Sequence, residues 1–94
     1  MNYTINVKYV PPGQIGKRFN LAYNFDTKKV SFTKDKATVF TDKETVNRLL
    51  VDMIMNRDDY HHLVESSSYL EVWVKKDKDG RVYFDDQLTI QFQH

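Results

Sequence analysis

Between Thr41 and Met55 the sequence TDKETVNRLLVDMIM places its apolar residues at the spacing of one helix face. Val46, Leu49, Leu50, Met53 and Ile54 stand at i, i+3, i+4, i+7 and i+8, and Lys43, Asn47, Arg48 and Asp52 fall off that stripe. An apolar stripe of this kind has to be buried against another element. Thr41, with Glu44 three residues on, makes a capping box, and Asp42 adds negative charge to the first turn, where the helix dipole favours it.

Most of the remaining chain alternates with a period of two, so the surface that receives the helix is a sheet. Tyr3, Ile5, Val7 and Tyr9 share one face of a first strand, with Thr4, Asn6 and Lys8 on the other. VPPGQIG ends it, since Pro11 and Pro12 cannot donate to a ladder. Phe19, Leu21, Tyr23 and Phe25 alternate next; DTKK turns the chain, VSF resumes a strand, TKDK turns again and ATVF forms a short strand before the helix. After it, Asn56 or Asp58 caps a second, shorter helix with Tyr60, Leu63 and Val64 facing inward, and Ser66–Ser68 end it.

YLEVWVKK is the strongest strand, with Leu70, Val72 and Val74 on one face and Tyr69, Glu71, Trp73 and Lys75 on the other. DKDG turns the chain, and RVYF and LTIQF close it as two further alternating strands. A two-residue turn at Asp79-Gly80 would pair Lys75 with Phe84. A three-residue turn would pair Val74 with Phe84 and Lys76 with Val82, which gathers Val72, Val74, Val82 and Phe84 on one face. Register follows the buried face, so the second is expected. The expected fold is α+β: an antiparallel sheet in the order β-meander, main helix, short helix, β-meander, with the helices packed on one face, as a single domain over residues 1–94.

The 94 residues contain no cysteine, which excludes disulfides and thiolate metal sites and suits a reducing cytoplasm. The N-terminus has neither the basic nor the apolar region of a signal peptide, and no apolar run approaches the ~18 residues of a membrane span. A net charge of +1 conceals an asymmetry: residues 1–50 carry nine Lys/Arg and four Asp/Glu, residues 51–94 five and nine. Opposite halves of one fold attract each other, and the same asymmetry can also mark a binding face.

Chemistry-bearing residues cluster only in DDYHHLVE. His61 and His62 are adjacent, about 100° apart around a helix, and poorly share one ion, so no metal site is expected. Ser66–Ser68 lie in no nucleophile elbow, DKDG lacks the distal Glu of a calcium loop, and Gly13, Gly16 and Gly80 fit no phosphate loop. No catalytic residue, metal ligand or cofactor is expected, and the chain is not read as an enzyme. The aromatics that interleave with the basic first half, Tyr9, Phe19, Tyr23, Phe25 and Phe32, sit on the faces the core requires. Trp73 differs, because it stands opposite the aliphatic face together with Tyr69, Lys75 and, in the expected register, Tyr83. Trp, Tyr and Lys together are a typical binding-surface composition, whereas a loop such as 11–17 laid over Trp73 would make them a second small core.

The handover DKATVFTDKETVNRLL, with Ala37, Phe40 and the capped helix after it, resembles small uncharacterised proteins of bacteriophages over about a sixth of the chain. That resemblance implies a phage or mobile-element origin and action in the host cytoplasm, and it brings no activity or functional residue. The expected function is a non-catalytic protein–protein interaction module using Tyr69, Trp73, Lys75 and Tyr83, with a protein partner or a second copy of the chain. The alternative is a nucleic-acid binder using the basic, aromatic-rich first half.

Overall fold

The computed structural model describes residues 1–92. Five strands, β1 (Asn2–Tyr9), β2 (Lys17–Asn24), β3 (Lys29–Thr33), β4 (Tyr69–Lys78) and β5 (Arg81–Gln91), form one antiparallel sheet in the order β3-β2-β1-β4-β5. Helix α1 (Lys43–Met55), a single turn α2 (Arg57–Tyr60) and a 3₁₀ turn (His61–Val64) lie between β3 and β4 in sequence. This is the expected α+β arrangement. β1 is central because its alternation buries Tyr3, Ile5, Val7 and Tyr9 all along one face.

The helix packs on that face. Val46, Leu49, Leu50 and Met53 join Ile5, Val7, Leu21, Leu70, Val72, Val74, Ile90 and Phe92 in one contiguous apolar cluster. Ile54, expected in the stripe, is 40% exposed at its margin. The cap is one residue later than the sequence suggests. Asp42, not Thr41, accepts the Thr45 N–H at 2.8 Å, and Glu44 pairs with Arg48 one turn on. The carboxylate of Asp42 satisfies an otherwise unpaired helix donor and also takes the Thr45 hydroxyl. These bonds hold its carboxyl below the usual carboxylate range, the Thr45 N–H contributing most.

ATVF does not form a strand. Phe40 alone bridges to Tyr3, exchanging two backbone bonds of 2.8 Å, while Thr38 bonds the backbone of Leu21 and Tyr23. The segment thus bonds both β1 and β2 and carries the chain from the sheet edge to the start of α1. The second helix is likewise shorter than expected, and Asn56 provides no side-chain cap. Ser67 does the work of joining this region to the sheet. Its buried hydroxyl takes the Val10 N–H and donates toward the Val10 and Tyr69 carbonyls.

The expected register of the last hairpin is wrong. Asp79 and Gly80 both have positive φ, 55° and 76°, which is a two-residue turn of the primed type. Lys75 therefore pairs with Phe84, Lys76 with Tyr83 and Asp77 with Val82. RVYF and LTIQF are also one strand, not two, interrupted by a bulge where Asp85 is the extra residue between the Lys75–Phe84 and Val74–Asp86 pairs. Among the described residues no helix is long and apolar enough to cross a membrane.

Two substitutions separate the caps: Asp42→Ala should cost about 1 kcal/mol and Thr41→Ala less than about 0.5 kcal/mol in urea denaturation. Leu50→Ala should cost about 2–5 kcal/mol by the same measurement, and an unchanged midpoint would place α1 on the wrong face.

Candidate functional site

The sheet face away from the helices is formed by the alternate residues of each strand. Across its middle run Thr33, Asn20, Asn6, Trp73 and Gln87, each opposite the next in register. One row along, Arg18, Lys8, Glu71 and Thr89 are aligned; on the other side of Trp73, Thr4, Lys75 and Phe84 are aligned. Asn6, Arg18, Asn20, Thr33, Trp73, Lys75 and Phe84 line an open concavity of about 370 Å³.

Phe84 reaches this face through the bulge. In an uninterrupted strand Val82, Phe84, Leu88 and Ile90 would share one side. The extra residue at Asp85 reverses the phase, so Leu88 and Ile90 remain over the core while Val82 and Phe84 turn outward. Phe84 is 74% exposed and Val82 64%. Asp85 itself turns toward the helix side, where its carboxylate meets the ammonium of Lys43 in the first turn of α1, and that of Lys76 at 3.7 Å. Lys43 above all holds the Asp85 carboxyl below its usual range, partly opposed by desolvation and assisted by Lys76.

Of the four residues expected to form a partner site, Trp73 and Lys75 lie in the concavity and are partly buried. Tyr69 is on the same face, two rows from Trp73 on the side away from Lys75, and outside the lining. Tyr83 is a correction: paired with Lys76, it belongs to the opposite side of the sheet, and Phe84 stands in its place beside Lys75. Loop 11–17 does not close over Trp73 as a second core; none of its residues lines the concavity, and its Ile15 is 86% exposed. The sequence signal for Phe84 was the adjacent pair Asp85-Asp86 inside an otherwise apolar alternation, together with a turn that tolerates positive φ at both positions.

The charge asymmetry has two outcomes. Lys17 bonds Glu65 at 2.9 Å and Lys43 bonds Asp85, so part of it ties the two halves together. Lys8, Arg18 and Lys75 form no ion pair among the described residues, although Glu71 is opposite Lys8 in the ladder. The first-half aromatics pack on the helix side: Tyr9 stacks on Phe19 with centroids 5.7 Å apart, and Phe32 and Tyr23 lie against the core, while Phe25 meets Tyr23 and Phe40. In DDYHHLVE the His61 ring stacks on Phe92 at 4.6 Å and its Nε2 bonds the Ser67 carbonyl. Among the described residues no three His, Asp or Glu side chains are grouped to hold a metal ion.

The Asp85 clamp has a definite pH signature. A carboxyl held below its unfolded value stabilises the fold above that unfolded value, and the contribution is lost as pH falls through the folded one. Asp85→Asn should therefore cost up to about 1 kcal/mol in urea denaturation at pH 7, and this difference should shrink and disappear as the pH is lowered through and below the ordinary carboxylate range. A difference that persists undiminished in acid would show that the carboxylate charge is not what holds the bulge.

Comparison of the chain with protein-family models, with curated proteins and with solved structures finds no match in any of the three.

Proposed function

We propose that this protein is a small non-catalytic interaction module that captures a macromolecular partner on the open face of its sheet. The observation that carries this reading is Phe84, 74% exposed beside Trp73 and Lys75 on a face that the helices do not cover. A bulge that turns an aromatic ring away from the core loses the burial that ring would contribute, about 1.5–3 kcal/mol for a Phe. Exposed aromatics next to partly buried Trp and unpaired cations are the composition of binding surfaces. The surrounding polar groups, Asn6, Asn20, Thr33 and Gln87, are donors and acceptors without the charge or geometry of a catalytic set.

The interaction-module reading drawn from the sequence is supported by this face, whichever class of macromolecule it takes. The three cations without ion-pair partners narrow the partner to an anionic one and disfavour a second copy, whose identical face would carry the same charge. The resemblance of residues 35–50 to bacteriophage proteins supports a phage or mobile-element setting, with action in the host cytoplasm.

A photo-crosslinking residue placed at position 84, and in parallel at the exposed Met55 on α1, tests the face. In lysate of the cells that make the protein, adducts are expected from position 84 and not from position 55. Equal yields at both positions, or none at 84, would sink the assignment.

A further inference from the structure

Resting on the open sheet face as the binding surface, we infer that its occupant is a single-stranded nucleic acid, with bases stacked on Phe84 and Trp73 and phosphates held by Arg18, Lys8 and Lys75. The sheet order brings these groups together from both halves of the chain. Arg18 and Lys8 come from the basic half, Trp73, Lys75 and Phe84 from the acidic half, and all five stand on the same side of adjacent strands. Strand spacing puts β2 about 14 Å from β5, three intervals of about 4.8 Å. A four-stranded sheet of that width presents aromatics to two or three bases.

Each part of the concavity matches a part of such a ligand. A ring exposed on a sheet offers a stacking platform to any base, which requires no sequence-specific contact. Asn6 donates its amide to Asn20, and Asn20 donates to the Asp35 carbonyl at 2.6 Å, so the floor is an ordered amide pair. The Asn6 side-chain carbonyl is left to accept from a base edge or from water. Lys8 stands beside Arg18 in the next row of the same face, outside the concavity's lining; its stem lies close to Gly16, where an added Cβ would come to 3.0 Å from Lys8 Cε, so glycine at that position leaves room for the side chain.

The same features argue against other anionic occupants. A duplex keeps its bases stacked on one another, and its major groove admits a helix or a two-stranded ribbon, not the face of a five-stranded sheet. An extended acidic peptide gains its main-chain bonds at a sheet edge, not across a face. Glu71 beside Lys8 reduces the positive charge, so the face neutralises two to three phosphates. The single-strand salt slope is then about −1.5 to −2.

The test is fluorescence anisotropy of a labelled single strand of about 12 nucleotides, as DNA and as RNA, with a duplex of the same sequence as the comparison. The single strand is expected to bind more tightly than the duplex, and its affinity to fall about ten-fold between roughly 50 and 200 mM salt. Phe84→Ala removes an exposed side chain and should fold normally; it is expected to weaken binding about ten-fold through the lost stack. Arg18→Gln should reduce the salt slope by about 0.7. No anisotropy change at about 100 μM protein and low salt, or equal binding by wild type, Phe84→Ala and Arg18→Gln, overturns the inference. The two readings fail separately. Adducts at position 84 that resist nuclease and are destroyed by protease would remove the nucleic acid and leave the binding face standing, whereas the absence of any adduct would remove both.

Discussion

The contact of Asp85 with Lys43 and Lys76 decides what the second half of the sheet presents to solvent. An extra residue in an antiparallel strand has to be accommodated somewhere, and its cost is lowest where the displaced side chain finds a partner. Lys43 is positioned for this by the start of α1, which is fixed by Asp42 and by the burial of Val46 two turns of sequence pattern before Met53. The helix that covers one face thus stabilises the irregularity that arms the other. Without the bulge, Phe84 and Val82 would fall on the helix side, and the open face would lose its most exposed ring.

Burial and charge divide the sheet in a consistent way. The helix side takes nearly every aliphatic residue of β1 and β4, and the ion pairs that link the two halves, Lys17–Glu65 and Lys43–Asp85, draw on the acidic second half. On the open face Lys8, Arg18 and Lys75 have no ion-pair partner among the described residues, although Glu71 stands opposite Lys8. The sheet order sets β1 of the basic half directly beside β4 of the acidic half, with β2 one strand further out, so groups from both halves of the sequence share the open face.

Much of this was legible from spacing alone. The period-3.6 stripe in residues 46–53 and the period-2 runs in β1 and β4 each have one way to be buried, and both were read correctly on those grounds. The helix cap was displaced by one residue because Thr41 and Asp42 are both good caps and only backbone geometry separates them. The hairpin register failed for a different reason. Alternation favours the register that puts Val82 and Phe84 over the core, on the premise that apolar side chains seek burial. Asp79 at positive φ and the bulge at Asp85 overrode that premise, and neither is encoded in alternation. This one step takes Tyr83 off the candidate surface and brings Phe84 onto it, so alternation alone reveals Trp73 and Lys75 but not their neighbour on β5. Arg18 and Lys8 could be assigned to a face but not to the neighbourhood of Trp73, because strand order is a property of the whole chain.

The bulge also bears on which part of the sheet can take a partner. An edge strand of eleven residues offers a row of unpaired backbone groups, an invitation to pairing with any other extended chain. In β5 the ladder geometry breaks at Asp85, and Asp85-Asp86 place two carboxylates in mid-strand, so an incoming strand cannot run its full length without meeting a kink and charged side chains. At the opposite edge β3 is only five residues long, follows Lys28 at positive φ and begins with Lys29. Both edges are therefore poor templates for strand addition, while the face between them is concave, aromatic and positively charged. One inserted residue closes the edge to aggregation and opens the face to a ligand, and this coupling gives the exposure of Phe84 a physical reason that does not depend on what binds there.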